Sequence, residues 1–372
     1  MKIGVEGRTL QGKRYGVARY LVNLLRNLMQ IDLDNEYLVY LSDEIEPLGL
    51  DHPNLDFRII RMRPGILWRH LRLPITMRGD GVDLHFSPAY MLPLVKVCPS
   101  IVVVHDITFK VHPEWFSADR RFLFDGIFWR EVRRAERIVT VSEHSKKDIV
   151  ECLTVDPGRV VVIQEAADET FRPVQDEEKF SDIRERLGLS EGFIFTVGSI
   201  HTRRNLERLI EATASAGRDF GIDPMLLIVG TPAPFSPPVD IQGTAQRCGI
   251  QDKVIHAPYV SEEDLLLLYN ACGLFAYPSL YEGFGLPVIE AMACGTPVAC
   301  SNTTSIPEVA GQAVIYFDPT NVEEMADAIG RGLTDQALRK ELARKGRERA
   351  SSFSWRRAAE ETLAVFNQVA GD

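Results

Sequence analysis

Long apolar runs are missing from this 372-residue chain. No stretch approaches the ~18 apolar residues that a membrane-spanning helix needs. The opening Met1–Arg8 carries charge where a signal peptide needs an apolar core, so neither secretion nor membrane insertion is expected. Cysteine is sparse, with six residues (98, 152, 248, 272, 294 and 300) and neither a C-x-x-C pair nor a cysteine–histidine ligand spacing. Lying mostly in apolar segments, they read as reduced, buried thiols of a cytoplasmic protein. The eight histidines form no H-x-x-x-H pair, so no metal site is expected. A G-x-G-x-x-G fingerprint followed by an acid ~20 residues on is absent, which argues against a dehydrogenase built on two dinucleotide-binding domains. Basic excess is missing as well. Residues 1–172 hold 24 Lys and Arg against 24 Asp and Glu, whereas residues 173–372 hold 18 against 28, for a net charge of −10. A nucleic-acid binder would show the opposite sign.

What is present, 45% hydrophobic and 25% charged residues, is the composition of an ordinary globular chain long enough for two domains. Short β-branched runs alternate with segments of helical period, the pattern of parallel βα units. Strands are predicted at Lys2–Glu6, Tyr37–Leu41, Phe57–Met62, Leu84–Ser87, Ile101–His105, Ile138–Val141 and Val160–Gln164. Val17, Tyr20, Leu21, Leu24, Leu25 and Leu28 mark a first helix. Phe171-Arg172-Pro173 and the charged Gln175–Lys179 read as a linker. The pattern then restarts with strands at Phe193–Val197, Met225–Val229, Val254–Ala257, Leu274–Tyr277, Pro297–Cys300 and Val314–Phe317. Helices are predicted at Asn205–Ala216, Glu262–Asn270, Pro287–Cys294 and Val322–Gly332, with a closing amphipathic helix at Phe353–Val369. The expected architecture is α/β, two doubly wound parallel-sheet domains spanning 1–172 and 173–352. Ligands gather at the C-terminal ends of such strands, so two facing domains imply an interdomain cleft.

The most specific segment is Glu282-Gly283-Phe284-Gly285-Leu286-Pro287-Val288-Ile289-Glu290, between a predicted strand and a predicted helix. Gly283 and Gly285 expose backbone before a helix N-terminus, where orphan N–H groups favour an anion. Pro287 suits the first helical turn and Gly295 the stop. Carboxylates accept hydrogen bonds from paired hydroxyls, so Glu282 and Glu290 fit a glycosyl group on one side and a ribose on the other. The plainer alternative is a capped helix with two exposed glutamates. Arg203 and Arg204 follow a strand and the Gly198-Ser199 turn, just before a helix. Two guanidiniums there suit a leaving diphosphate, with a bidentate fork available. Cations are unfavourable near a helix N-terminus, which argues for a compensating anion. His105, before Asp106 at a strand end, is by itself more readily structural than catalytic. The loop Gly12–Gly16 and the pair Tyr259-Val260 read equally well as ordinary βα turns.

These residues in this order resemble the E-x7-E signature of retaining GT-B glycosyltransferases of the large family 4 (glycosyltransferase group 1). Val197-Gly198-Ser199 with Arg203-Arg204-Asn205-Leu206, Tyr277-Pro278-Ser279, Ala293–Val298, Pro307-Glu308, Val104-His105-Asp106, Val141-Ser142-Glu143 and Phe353-Ser354-Trp355 extend the resemblance over nearly the whole chain. The family more often has Arg then Lys where this chain has Arg203 and Arg204. The resemblance implies a GT-B fold with two facing Rossmann-like domains, donor held by the C-terminal one and acceptor by the N-terminal one, and residues 353–372 crossing back to the N-terminal domain. It implies a nucleoside diphosphate sugar as substrate, retention, and no cofactor. The implied donor-binding residues are Gly16, Gly198, Arg203, Arg204, Tyr259, Val260, Glu282, Gly283, Phe284, Gly285, Leu286 and Glu290. His105 would border the transferred sugar through its backbone carbonyl, completing a catalytic set with Glu282, Arg203 and Arg204. The segments Thr202–Ile210 and His105-Asp106 look most like bacterial mannosyltransferases of surface-polysaccharide assembly, which points to GDP-mannose and a glycan or lipid-linked saccharide acceptor. UDP-glucose, a dTDP- or UDP-deoxysugar, and a catalytically silent sugar-nucleotide binder stay open.

Asp32-Leu33-Asp34 is a D-x-D, but it follows a helix and precedes a strand, so it reads as a polar turn and not a metal site. Gln164–Asp168 departs from the Asn-Gly commoner in the family and is given no chemistry. Finally, Arg58, Arg61, Arg63, Arg69, Arg72 and Arg78 span a stretch with no acid before Asp80, interleaved with Ile66, Leu67, Trp68, Leu71 and Leu73. Such a mixture suits the surface of an anionic leaflet. Alternatively the arginines flank a buried strand, and Pro64 and Pro74 are expected to prevent one long helix.

Overall fold

The computed structural model describes residues 1–12, 16–116, 129–233 and 236–371. These residues form two compact units, the first from 1–12, 16–111, 129–165 and 354–371, the second from 112–116, 166–233 and 236–353.

The first unit holds a parallel sheet of β1 (Lys2–Glu6), β2 (Glu36–Leu41), β3 (Leu55–Ile59), β4 (Leu84–Ser87), β5 (Ser100–Val103), β6 (Arg137–Thr140) and β7 (Val160–Val162). Its strand order is β3-β2-β1-β4-β5-β6-β7. Residues of β4 and β5 are buried throughout, as expected where crossover helices cover both faces. Helix α1 (Val17–Ile31) presents Tyr20, Leu21, Leu24, Leu25 and Leu28 as a buried stripe of helical period. At its end Asp32 accepts from the Asn35 side chain at 2.7 Å and the Tyr37 hydroxyl at 2.5 Å. That carboxylate is consumed in joining α1 to β2, as a polar turn would be.

The Arg58–Arg78 stretch departs from expectation. Strand β3 stops at Ile59, and a continuous helical run, α2, follows as Gly65–Leu67, a π turn Trp68–Arg72, and Leu73–Asp80. The Leu73 N–H reaches back to the Trp68 carbonyl. This wider turn sits where Pro74 lacks an N–H and its ring would strike a carbonyl one α-turn earlier, so the proline does not break the run. Trp68, Leu73 and Met77 bury one face against Leu38, Tyr40 and Ile60. Next come α3 (Glu143–Leu153), capped by the Ser142 side chain, and, before the last residues of the chain, the closing helix that belongs to this unit.

The main segment of the second unit begins at Ala166, before the predicted linker. Phe171 is buried and lies edge-on to Tyr269, so it is already part of this unit's core. The charged Gln175–Lys179 opens a helix, α4 (Glu177–Leu187). Asp176 accepts from the Lys179 N–H, Glu177 and Glu178 complement the dipole, and Phe180 and Ile183 are buried. Its sheet comprises β8 (Ile194–Val197), β9 (Leu226–Val229), β10 (Val254–Ala257), β11 (Leu274–Tyr277), β12 (Val298–Ser301) and β13 (Ile315–Phe317) in the order β10-β9-β8-β11-β12-β13. Helices α5 (Leu206–Phe220), α6 (Glu262–Ala271), α7 (Leu286–Cys294), α8 (Val322–Thr334) and α9 (Gln336–Ala350) pack around it, and α10 (Trp355–Gly371) closes the chain. The strand order reverses between β8 and β11, which pair in register at Ile194–Leu274 and Phe195–Phe275. In doubly wound sheets ligands bind outside the strand C-termini at such a reversal.

Candidate active site

The turn after β8 and the loop after β11 meet at that reversal. Strand β8 ends at Val197 and runs into Gly198, whose φ of +144° only glycine adopts without strain. Its carbonyl lies against Gly230, where a Cβ would meet it at 1.9 Å. The turn leads to Thr202–Arg204 and then to Asn205, in a left-handed conformation at φ +57°. Asparagine tolerates that region. The Asn205 side chain donates to the carbonyls of Pro278 at 3.2 Å and Pro319 at 2.7 Å, tying the turn to the end of β11. Leu280 N–H adds a bond to the Arg203 carbonyl at 2.8 Å.

The two arginines are thereby aimed at Glu282. Arg204 donates to Glu282 Oε1, to the Tyr277 hydroxyl and, at 3.2 Å, to Ser279 Oγ. Arg203 Nη1 lies 3.8 Å from Glu282 Oε2. Tyr277 donates to Glu282 Oε1 at 3.1 Å, and burial pushes its phenol pKa well above the ordinary value, so it stays a neutral donor. Arg204 also lies over the Tyr277 ring, 5.0 Å from its centroid. The side chains of Arg204 and Glu282 are only 12% and 7% exposed, and Arg204 Nε has no partner among the described residues. A buried guanidinium with an unused donor is set to receive another acceptor. The loop itself is pinned, because Glu282 N–H donates to Thr304 Oγ1 and Ser305 Oγ donates to the carbonyls of Glu282 and Phe284. Gly285, at φ +113°, is the N-cap of α7, with Pro287 in the first turn and Gly295 at the stop. A Cβ on Gly285 would meet Ile306 at 2.7 Å.

Glu290 lies within α7, as the sequence places it. It is 3% exposed and accepts the Tyr269 hydroxyl at 2.9 Å. Its turn of α7 faces α6, so the two glutamates share a helix entrance but not their described hydrogen-bond partners. Tyr259 and Val260 follow β10 at the same end of the sheet, with Tyr259 half exposed. In the first unit, Gly16 caps α1 at φ +41°, while Lys13, Arg14 and Tyr15 of its loop lie outside the described residues.

His105 follows β5 in that unit. Its Nδ1 is 3.2 Å from Glu165 Oε1 and its Nε2 is 2.9 Å from the Pro88 carbonyl oxygen. Its own backbone carbonyl accepts from Ser145 Oγ at 3.1 Å. Tyr277, Ser279, Thr304 and Glu165 are partners that reading by sequence passed over. Tyr277-Pro278-Ser279 was visible as a motif, but nothing in it signals a contact to an arginine on another strand.

Residues 15–171 match the family described as Glycosyltransferase Family 4, and residues 179–349 match Glycosyl transferases group 1. The chain belongs to the group 1, family 4 glycosyltransferases. O-antigen chain mannosyltransferase B of Escherichia coli is 29% identical over 76% of this glycosyltransferase and 74% of its own length. Serotype-specific mannosyltransferase WbdA, also from Escherichia coli, is 30% identical over 76% of this chain but only 34% of its own length. The glycosyltransferase therefore spans about a third of WbdA. The crystal structure of Anabaena HepE in complex with UDP-glucose superimposes with a TM-score of 0.78 at 18% identity, covering 99% of this chain and 100% of the other. That similarity establishes the GT-B fold. Among the described residues no helix is long and apolar enough to cross a membrane.

Proposed function

We propose that this glycosyltransferase moves a mannosyl group from GDP-mannose to a hydroxyl of a glycan or lipid-linked saccharide, with retention and without a metal ion. The observation that carries the transfer chemistry is the Arg203–Arg204–Glu282 cluster at the β8–β11 reversal. The mannosyl assignment follows the two mannosyltransferases similar over three quarters of the chain. Both guanidiniums take the diphosphate, and Arg supplies the charge that Mg²⁺ supplies elsewhere. Glu282 accepts from hydroxyls of the sugar, Glu290 accepts from the ribose, and Gly198, Gly283, Phe284, Gly285 and Leu286 present backbone to the donor. Gly16 meets the donor phosphate, while Tyr259 and Val260 meet the base. His105 borders the sugar. In a front-face step the acceptor oxygen bonds to the anomeric carbon as the bond to the diphosphate breaks, and the acceptor proton leaves on the diphosphate.

Thermal unfolding with GDP, UDP, ADP, dTDP, their sugars and NAD, all with EDTA present, tests this reading. A ligand at 100 times its Kd adds about 2.7 kcal/mol. GDP and GDP-mannose are expected to give the largest shift, with mannosyl transfer undiminished by EDTA. A larger shift with UDP or dTDP replaces the donor, loss of transfer restored by Mn²⁺ ends metal independence, and a shift with NAD alone removes the reading. Glu290→Ala is expected to weaken nucleotide binding by about 1.5–3 kcal/mol, the range for hydrogen bonds to a charged group. Unchanged affinity with a lower Tm would assign Glu290 to packing against Tyr269.

The membrane part of the reading rests on α2. Ile59, Ile66, Leu67, Leu71 and Ile75 are each 44–55% exposed, an unusual density of outward apolar side chains. The arginines are less available than their spacing suggests. Arg58 pairs with Asp80 at 3.1 Å, Arg61 with Glu44 at 2.6 Å, Arg63 with Asp43 at 3.7 Å, and Arg69 turns inward to Glu6 at 2.6 Å. Arg72 and Arg78 remain exposed. Apolar insertion therefore dominates over charge. Co-sedimentation with anionic vesicles is expected to survive high salt and to be lost in Leu71→Glu with Ile75→Glu. Full recovery in the supernatant with anionic and neutral lipid, at low and high salt, would end the idea.

A further inference from the structure

We propose that Glu165 is a positioning residue that holds the His105 ring as an imidazolium, with both ring N–H groups committed to fixed acceptors. The inference deepens the reading above and rests on it where it takes His105 to border the transferred sugar. The pairing itself is a property of the first unit alone.

Two acceptors face the two ring nitrogens, Glu165 Oε1 at 3.2 Å from Nδ1 and the Pro88 carbonyl oxygen at 2.9 Å from Nε2. A neutral imidazole carries one N–H, so it would turn a lone pair toward one of these oxygens. The cation donates to both. Neither side chain is free to escape to water, since His105 and Glu165 are 12% and 5% exposed. Among the described residues, the other ionisable groups that face the ring are Asp106, Tyr20 and Tyr90. Asp106 follows it in the chain, Tyr20 of α1 lies edge-on with centroids 4.8 Å apart, and Tyr90 beyond β4 lies at 6.1 Å. Ser145 of α3 fixes the backbone by donating to the His105 carbonyl. Burial opposes the charge, but the Glu165 hydrogen bond and charge, the Pro88 carbonyl and Asp106 outweigh it and raise the His105 pKa.

The consequence is chemical. A ring with no lone pair takes no proton from the acceptor hydroxyl, so His105 orients and polarises, and the proton leaves with the diphosphate. Glu165 lies in Gln164–Asp168, the segment read from the sequence as a departure from the commoner Asn-Gly. That segment supplies the carboxylate that meets His105 Nδ1. Because the folded-state pKa is raised, this pair's contribution to stability is complete below the unfolded value near 6.5 and is lost as pH rises through the folded one.

The test is ¹⁵N NMR of the histidine rings in the full chain between pH 6 and 9, with His105 assigned from the signal missing in His105→Gln. Wild type is expected to stay doubly protonated at this ring well above the ordinary histidine pKa, and Glu165→Gln to titrate near it. In parallel, Glu165→Gln is expected to lower kcat roughly tenfold, equivalent to about 1.4 kcal/mol. Donor KM should stay within about twofold, and a new alkaline limb should enter the pH profile of kcat. Glu165→Asp should restore part of the loss. A His105 ring that loses its second proton at or below the ordinary histidine pKa in wild type overturns the proposal, whatever the variants do. So does a Glu165→Gln protein with wild-type titration and kcat. A ring that titrates as expected in a chain that transfers no sugar from any donor leaves the pairing standing and removes the transfer reading instead.

Discussion

Arg204→Ala should lower kcat/KM by two to three orders of magnitude and destabilise the second unit as well. The substitution removes the donor to Glu282 Oε1, to the Tyr277 hydroxyl and to Ser279, at a site where the arginine and glutamate side chains are 12% and 7% exposed. Breaking a buried pair on one side costs about 3–5 kcal/mol, much of it the penalty on the charge left behind. Arg203, 3.8 Å from the other carboxylate oxygen, compensates only in part. Arg204→Lys keeps the charge but loses the fork, so it should recover stability further than turnover. Nucleotide titration by calorimetry beside thermal unfolding separates the two effects. Unchanged diphosphate affinity in Arg204→Ala would take this arginine out of the donor site, even if the protein melted earlier.

Gly230→Ala should be the most damaging single methyl in the second unit. A Cβ there would lie 1.9 Å from the Gly198 carbonyl oxygen, a backbone atom that no rotamer change can move. Gly198 is itself held by a bond from its N–H to the Val229 carbonyl at 2.9 Å. Relief therefore requires strands β8 and β9 to part just before the arginine turn. Overpacking commonly costs about 1–3 kcal/mol, and a backbone clash belongs at or above the upper end. Activity should fall further than stability, because Arg203 and Arg204 hang from that turn. Gly79→Ala, with no atom within 4 Å of the new Cβ and a helical position in α2, should be neutral or slightly stabilising. Denaturant unfolding of the three proteins decides it. Gly230→Ala with the wild-type midpoint would show that the close approach is not maintained in solution.

The parallel-sheet pattern was legible because buried strands read as apolar runs and helices as stripes of period 3.6. Lys2–Glu6, Leu84–Ser87, Val254–Ala257 and Leu274–Tyr277 are strands over the predicted residues. The strand–helix junction of Glu282–Glu290 was legible for a different reason. Glycine at a left-handed cap, proline in the first helical turn and glycine at the stop each answer a local backbone requirement. Local chemistry also explains one misreading. Gln175–Lys179 looks like a linker by charge, yet Asp176, Glu177 and Glu178 are what a helix N-terminus attracts.

The linear chain thus determined the strands, the helix caps and the residue types available for sugar-nucleotide chemistry, because those depend on neighbours a few positions away. Which charges meet was decided only in three dimensions. Arg58–Arg78 looked like a bare cationic strip, until folding brought Asp43, Glu44 and Glu6 to three of its arginines from elsewhere in the first unit. Glu165 and His105 are separated by 60 positions and meet because β5 and β7 flank β6 in one sheet. Glu282 and Glu290, eight positions apart, were expected to face one ligand. In the fold, Glu282 at the entrance of α7 accepts from Arg204, and Glu290 within the helix accepts from Tyr269. An ion pair is a contact across the fold, its strength is set by how much water the fold removes, and neither quantity is written in the spacing of residues along the chain.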